Sequence, residues 1–147
     1  MTWTMAPLAL RICIDVPDLD AAIAFYTRAL GLLPGRRNGP HWAELLGAGC
    51  PVDLLPVEPG TPASSAPGAE RARRDFSRHW TPVHLDLAVP DLEAAVRRAE
   101  EAGARLERPI VSRRWGRMAN MADPFGHGFC LLQFQGRGYD ELLSAPA

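Results

Sequence analysis

The chain has 147 residues, 47% of them hydrophobic and 22% charged, with a formal net charge of −1. That balance gives no field to draw nucleic acid or an anionic membrane surface, and no apolar run approaches the roughly 18 residues of a membrane span. Cys13, Cys50 and Cys130 are odd in number and form no CxxC pair, so a disulfide framework is not expected and a reducing cytoplasm fits best. The opening MTWTMAPLALRICIDV has no basic start and no small-residue cleavage site, so it is expected to be mature sequence.

The first expected element is a strand over Leu8–Val16. Leu8, Leu10, Ile12, Ile14 and Val16 alternate with Ala9, Arg11, Cys13 and Asp15, which marks one apolar face. Pro17 ends it, Asp18 caps a helix reaching about Leu30, and Gly31 stops that helix. Strands over Leu32–Arg37 and His41–Leu46 flank the hairpin signal Asn38-Gly39, and a third strand covers Val52–Val57. Residues 58–79 are rich in Pro, Gly and Ser and read as a flexible linker. The four arginines within Ala69–Arg78 read as a solvated segment and not a nucleic-acid patch.

The same order then repeats. Trp80–Val89 reads as a strand, Asp91–Ala102 as a helix and Arg105–Val111 as a strand. Arg117–Ala122 and Gly128–Phe134 pair across a turn, and a weak last helix covers Tyr139–Leu143. The repetition is visible in the letters: VPDLDAAI at Val16–Ile23 and VPDLEAAV at Val89–Val96 lie 73 residues apart, half the chain. Two related modules follow, not a solenoid of short units. Their boundaries are expected near 8–57 and 80–135, within a single domain over 1–147 that ends in a tail at 136–147.

The offset of 73 sets Arg11 opposite His84, Cys13 opposite Asp86 and Asp15 opposite Ala88. One face of each opening strand is therefore polar and free to line a cavity. Phasing the closing strands adds Asp53 and Cys130. The candidate cavity ring is Arg11, Asp53, His84 and Cys130.

These motifs resemble the vicinal oxygen chelate superfamily, which includes glyoxalase I, extradiol dioxygenases, fosfomycin-resistance transferases and bleomycin-binding proteins. The resembling segments are Val16–Gly31, Val83–Val96 and Asp123–Phe134, the last reading DPFGHGFCLLQF. The resemblance implies an α+β fold of two βαβββ modules forming a curved mixed-sheet cleft. It also implies a divalent metal held by residues from the first and last strands of each module. Carried over, those places are Arg11, Asp53, His84 and Cys130. Arg11 has no lone pair to give, and Cys130 suits only a soft metal. The expectation is therefore a degenerate site with no metal and no cofactor, in which Arg11 pairs with Asp53. A divalent metal through His84 and Asp53 is the alternative.

His84 is the candidate catalytic residue, as a ligand or general base near neutral pH, against a plain cavity histidine bonded to Asp86 or backbone. Asp86 orients His84 or is a solvated strand residue. Cys130 is a nucleophile or a core thiol. Trp115, among Arg113, Arg114 and Arg117, lines a ligand site or stacks on arginine; Trp42 and Trp80 share the aromatic reading. His127 reads as a solvent-facing loop residue. The expected function is a glyoxalase-like protein anchoring a small anionic or carbonyl-bearing ligand through Arg11, Asp53, His84, Asp86, Trp115 and Cys130. The alternatives are a metal-dependent lyase, isomerase or dioxygenase, and a drug-sequestering binder. A homodimer is expected from the free strand edges, with a small-molecule ligand and no nucleic-acid or membrane partner.

Overall fold

The computed structural model describes residues 8–79 and 81–143. The first module runs β1 (Ile12–Val16), α1 (Leu19–Leu30), β2 (Leu33–Asn38), β3 (Trp42–Leu46) and β4 (Val52–Pro56). The second runs β5 (Leu85–Ala88), α2 (Leu92–Glu101), β6 (Arg105–Leu106), β7 (Val111–Arg113), β8 (Gly116–Ala122) and β9 (Gly128–Phe134), then a short 3-10 turn at Gly138–Leu142. The backbone contacts divide the chain into two compact units, one reaching Val57 and one beginning at Glu58, the latter also taking Arg28–Leu30.

Local chemistry explains the element ends. The Asp18 carboxylate accepts from the Ala21 amide at 3.0 Å, and Asp91 accepts from Ala94 at 3.0 Å, so each helix begins on an aspartate cap. Gly31 closes α1 at φ 69°, a left-handed conformation that suits glycine. The Gln133 side chain accepts from the Leu92 amide at 3.0 Å and ties the start of α2 to β9.

In the first unit β1 pairs in parallel with β4, β4 antiparallel with β3, and β3 antiparallel with β2. In the second, β5 pairs in parallel with β9, β9 antiparallel with β8, and β8 antiparallel with both β6 and β7. The α+β class and the repeated βαβββ order are as the motifs imply. The curved cleft is not. The strands form two separate open sheets of four and five strands. Each sheet sets its module's first strand against its last in parallel, leaving β1 and β5 as edges, so neither sheet closes on itself. The strand expected over Arg105–Val111 is also corrected. It breaks into β6 and β7 around Pro109, which offers no amide to the ladder. The opening strands are shorter than their alternation suggests: Leu8 is 98% exposed and Val83 is 78% exposed, both outside β1 and β5. The Trp80 end of the expected strand lies outside the described residues.

Leu19, Ala22, Phe25 and Tyr26 of α1 are buried, as are Leu45 of β3 and Leu54 of β4. In the second unit Leu92, Val96 and Ala99 of α2 are buried, as are Met121 and Leu131 of the sheet. These positions fix which sheet face is left for the polar residues.

The segment read as a linker begins with an irregular hairpin. The Gly60 amide donates to Arg74 O at 2.8 Å, Ala63 to Ala72 O at 2.8 Å and Arg74 to Thr61 O at 2.9 Å. Its end docks on the turn before β9. The His79 amide donates to Gly126 O at 3.3 Å, and the rings of Phe76 and His79 meet His127 edge-on at 6.2 and 5.7 Å. His127, read as solvent-facing, is half-buried here.

Two measurements check this arrangement. Limited tryptic digestion is expected to cut first at Arg71 in the exposed hairpin tip; initial cleavage confined to the chain ends would contradict it. Gly126 has φ 90°, and a Cβ there would lie 2.3 Å from Ser77 O and 2.7 Å from Phe76 O. Gly126→Ala should cost about 2–3 kcal/mol in denaturant unfolding. Gly39→Ala, at φ 47° with nothing within 4 Å, should cost only about 1 kcal/mol.

Candidate functional site

The two parallel ladders place the candidate residues. Cys13 is matched in register with Asp53, and Asp86 with Cys130. Matched residues of parallel neighbours point to the same face, so each module presents one thiol beside one carboxylate. Two residues before the thiol or carboxylate of the opening strand lies Arg11 in one module and His84 in the other.

In the first unit Arg11 closes the arrangement. Its Nε and terminal nitrogen donate to the two Asp53 oxygens at 2.8 and 2.7 Å, and that nitrogen also donates to Glu44 Oε2 at 2.7 Å. Arg36 holds Glu44 from the other side at 3.0 and 2.7 Å, and Trp42 Nε1 donates to Asp53 at 2.9 Å. Both carboxylates are 4% exposed. Their neighbours hold them well below the usual carboxylate range: Arg36 and then Arg11 for Glu44, and Arg11 for Asp53. Hydrogen bonds to Asp53 and then Glu44 push the Arg11 guanidinium further up. The pairing of Arg11 with Asp53 is as the sequence suggests, and it commits Asp53 to that network. Glu44 and Arg36 were not legible as members.

In the second unit the matching place stays open. His84 Nε2 lies 3.1 Å from Asp86 Oδ1, with half of the imidazole exposed. One ligand atom each from His84, Asp86 and Cys130 lies within 4.8 Å of the others. The Asn120 amide donates to the Cys130 sulfur at 3.2 Å, and the Asn120 carbonyl accepts from Arg108 Nε at 2.6 Å. Burial, then the charge of Asp86, pushes the Cys130 thiol up, and Asn120 acts against this. The expectation of no metal and no cofactor is therefore corrected. A histidine nitrogen, a carboxylate oxygen and a thiol sulfur lie close enough together to be a candidate metal-binding cluster, and its carboxylate is Asp86 and not Asp53.

His84 and Cys130 line a cavity of about 460 Å3. Its wall also takes Arg78, Glu107, Arg108, Asn120, Met121 and Phe129. Such a volume suits a small molecule. Arg78 is clamped by both Glu107 oxygens at 2.9 and 2.8 Å and packs where a Cβ on Gly128 would stand, 2.5 Å away. Trp115 is placed elsewhere in this unit. It meets Phe134 and Tyr139 with ring centroids 5.9 and 5.1 Å away. Asn120 and Arg108 escaped the sequence reading, although a signal existed. Counting outward from the turn, with Ala122 opposite Gly128, sets Asn120 opposite Cys130.

The first unit's network makes a prediction about acid. Folded Glu44 and Asp53 have depressed pKa values, so the unfolded chain takes up protons first as pH falls. The stabilisation is complete above the ordinary carboxylate values of about 4 and is lost below them. The melting temperature of the wild type should fall steeply below about pH 4. Arg11→Ala should lower it by several degrees at pH 7, and Arg11→Ala/Asp53→Ala should recover most of that loss. A double variant no more stable than the single one would refute the pairing.

A family model described as a glyoxalase-like domain matches residues 11–132. An uncharacterized protein of Mycobacterium bovis is 32% identical over 127 residues, covering 85% of this chain and 82% of the relative. Among solved structures, a glyoxalase-related enzyme from Fulvimarina pelagi shares the fold at TM-score 0.64 and 21% identity, over 88% of each chain. A genomically encoded fosfomycin resistance protein, FosX, from Listeria monocytogenes does so at TM-score 0.67 and 18% identity, over 95% of this chain and all of that one. With the repeated βαβββ order, the matched family model places this chain in the glyoxalase-like family, within the glyoxalase, bleomycin-resistance and dioxygenase superfamily.

Proposed function

We propose that the chain is a metal-dependent enzyme of this superfamily, of the lyase, isomerase or dioxygenase type. Its metal is held by His84, Asp86 and Cys130, and its small substrate enters the adjoining cavity. The observation that carries this reading is the convergence of three unlike donors within 4.8 Å, two of which, His84 and Cys130, line the cavity. The donor set narrows the ion. A thiolate with an imidazole suits zinc and similarly soft or borderline ions and disfavours magnesium or calcium. Three protein ligands leave a coordination position for substrate, the pattern of catalytic sites and not of closed structural ones. When bound, the ion supplies Lewis acidity toward a substrate oxygen.

The chain's own residues do the rest. Asn120 holds the Cys130 sulfur by its amide, and Arg108 fixes Asn120 by taking its carbonyl. Phe129 and Met121 give the cavity an apolar wall that orients a small molecule toward the donors. Arg11 and Asp53 serve the first unit's stability in this reading.

The chain is proposed to act as a homodimer in the cytoplasm. Unpaired edges at β1 and β5 support the first statement, and three free cysteines support the second. No helix among the described residues is long and apolar enough to cross a membrane. The single-domain reading over 1–147, with modules near 8–57 and 80–135, is retained as part of this proposal.

Metal titration tests the proposal. Metal-free protein dialysed against zinc should retain about one ion per chain. His84→Ala and Cys130→Ser should each weaken zinc by roughly 100-fold or more, and Asn120→Ala by about 10–100-fold. Wild-type protein that keeps less than about a tenth of an equivalent would end the metal reading.

A further inference from the structure

The charges around the second unit's cavity do not cancel. Arg78 is neutralised by Glu107, whose two oxygens accept from its Nε and one terminal nitrogen at 2.9 and 2.8 Å. His84 faces Asp86 at 3.1 Å. With a doubly charged ion bound, the carboxylate of Asp86 and the thiolate of Cys130 would balance it. Arg108 is left over. Its Nε is used on Asn120 at 2.6 Å, and its two terminal nitrogens have no hydrogen-bond partner among the described residues. It lines the same cavity as His84 and Cys130, on the far side of the Asn120 side chain from the sulfur.

A guanidinium anchored by Nε keeps its outer edge in a fixed plane. That edge presents donors matched to the two oxygens of a carboxylate. Anchoring also lowers the rotamer entropy that an exposed arginine loses on binding. The cavity thus carries two different polar features, the donor cluster and the Arg108 guanidinium, in a wall that also includes Phe129 and Met121.

We propose that the substrate is a small carboxylic acid whose carboxylate, at the end away from the metal, is held by Arg108. The proposal rests on the metal reading above and names the substrate class of that same site. It assigns to Arg108 the choice between acids and their uncharged counterparts.

Cobalt(II) as the metal, with L-lactate and L-malate as probes, separates the two claims. Cobalt reports its own binding through the absorption of a cobalt–thiolate bond. Lactate and malate share a hydroxy-acid end for the metal, and only malate carries a second carboxylate. Malate should bind the cobalt-loaded protein at least about tenfold tighter than lactate, about 1.4 kcal/mol. In Arg108→Gln the two should bind alike, and Arg108→Lys should restore part of the preference, since it keeps the charge without the fork. Each comparison is a ratio within one variant, so a change in metal affinity caused through Asn120 cancels. A missing cobalt–thiolate band would overturn the metal reading and this proposal with it. A normal band with equal binding of the two acids, or a malate preference that survives Arg108→Gln, would overturn this proposal alone.

Discussion

Parallel pairing of the first and last strand in each module is the constraint on which the rest depends. It brings Cys13 beside Asp53 and Asp86 beside Cys130 without help from any loop. A slip of one residue would turn each closing-strand partner to the helix-packed face, where Leu54 and Leu131 now lie buried. The hydrophobic core therefore sets the register, and the register sets the chemistry. Helix caps at Asp18 and Asp91 and the Gln133 tie act on the same quantity, because they fix where each helix starts relative to its sheet.

The elements were largely legible because their signals are local. Period-two alternation, aspartate caps and glycine stops mark α1, α2 and the closing strands within a residue or two. Pro109 splits one expected strand, and that signal was local, in the letters themselves. The extent of the opening strands was not, because alternation continues through Leu8, Leu10 and Val83 although no partner pairs with them. The curved cleft came from the resemblance and not from any residue, and the strand pairing gives two open sheets instead.

The site was legible in part for a similar reason. The internal repeat singles out Arg11, Cys13, His84 and Asp86, since a repeated strand repeats its exposed face, and the alternation of the closing strands adds Asp53 and Cys130. What it cannot tell is which of them meet. The strand order of the resemblance sets Asp53 with His84 as metal ligands, whereas the residues themselves also offer Asp86 as the partner of His84. The geometry joins these two, two apart on one strand, at 3.1 Å. Glu44 lies between Ala43 and Leu45, and it is buried because Arg11 and Arg36 close over it, a contact that strand alternation does not show. Arg108 and Asn120 come from the broken β6–β7 segment and from β8, where meaning depends on hairpin register and not on residue type.

The two modules also show how the residue two places upstream changes what a repeated site can do. Each carries a thiol and a carboxylate on matched strand positions, in swapped order. A third residue two places upstream of the opening strand's member decides the outcome. Arginine at position 11 bonds both Asp53 oxygens and Glu44 Oε2, and with Arg36 and Trp42 commits the two carboxylates to a network of donors. Its positive charge would also repel a cation. Histidine at position 84 is shorter, can be neutral, and offers a lone pair where arginine offers only donors. The cost falls differently as well. Two buried carboxylates need the arginine, since removing it would strand their charge, so the first module cannot revert to a ligand set by a change at position 11 alone. The second module, with His84 and Asp86 half exposed, carries no such debt, and its donors remain free to take a metal.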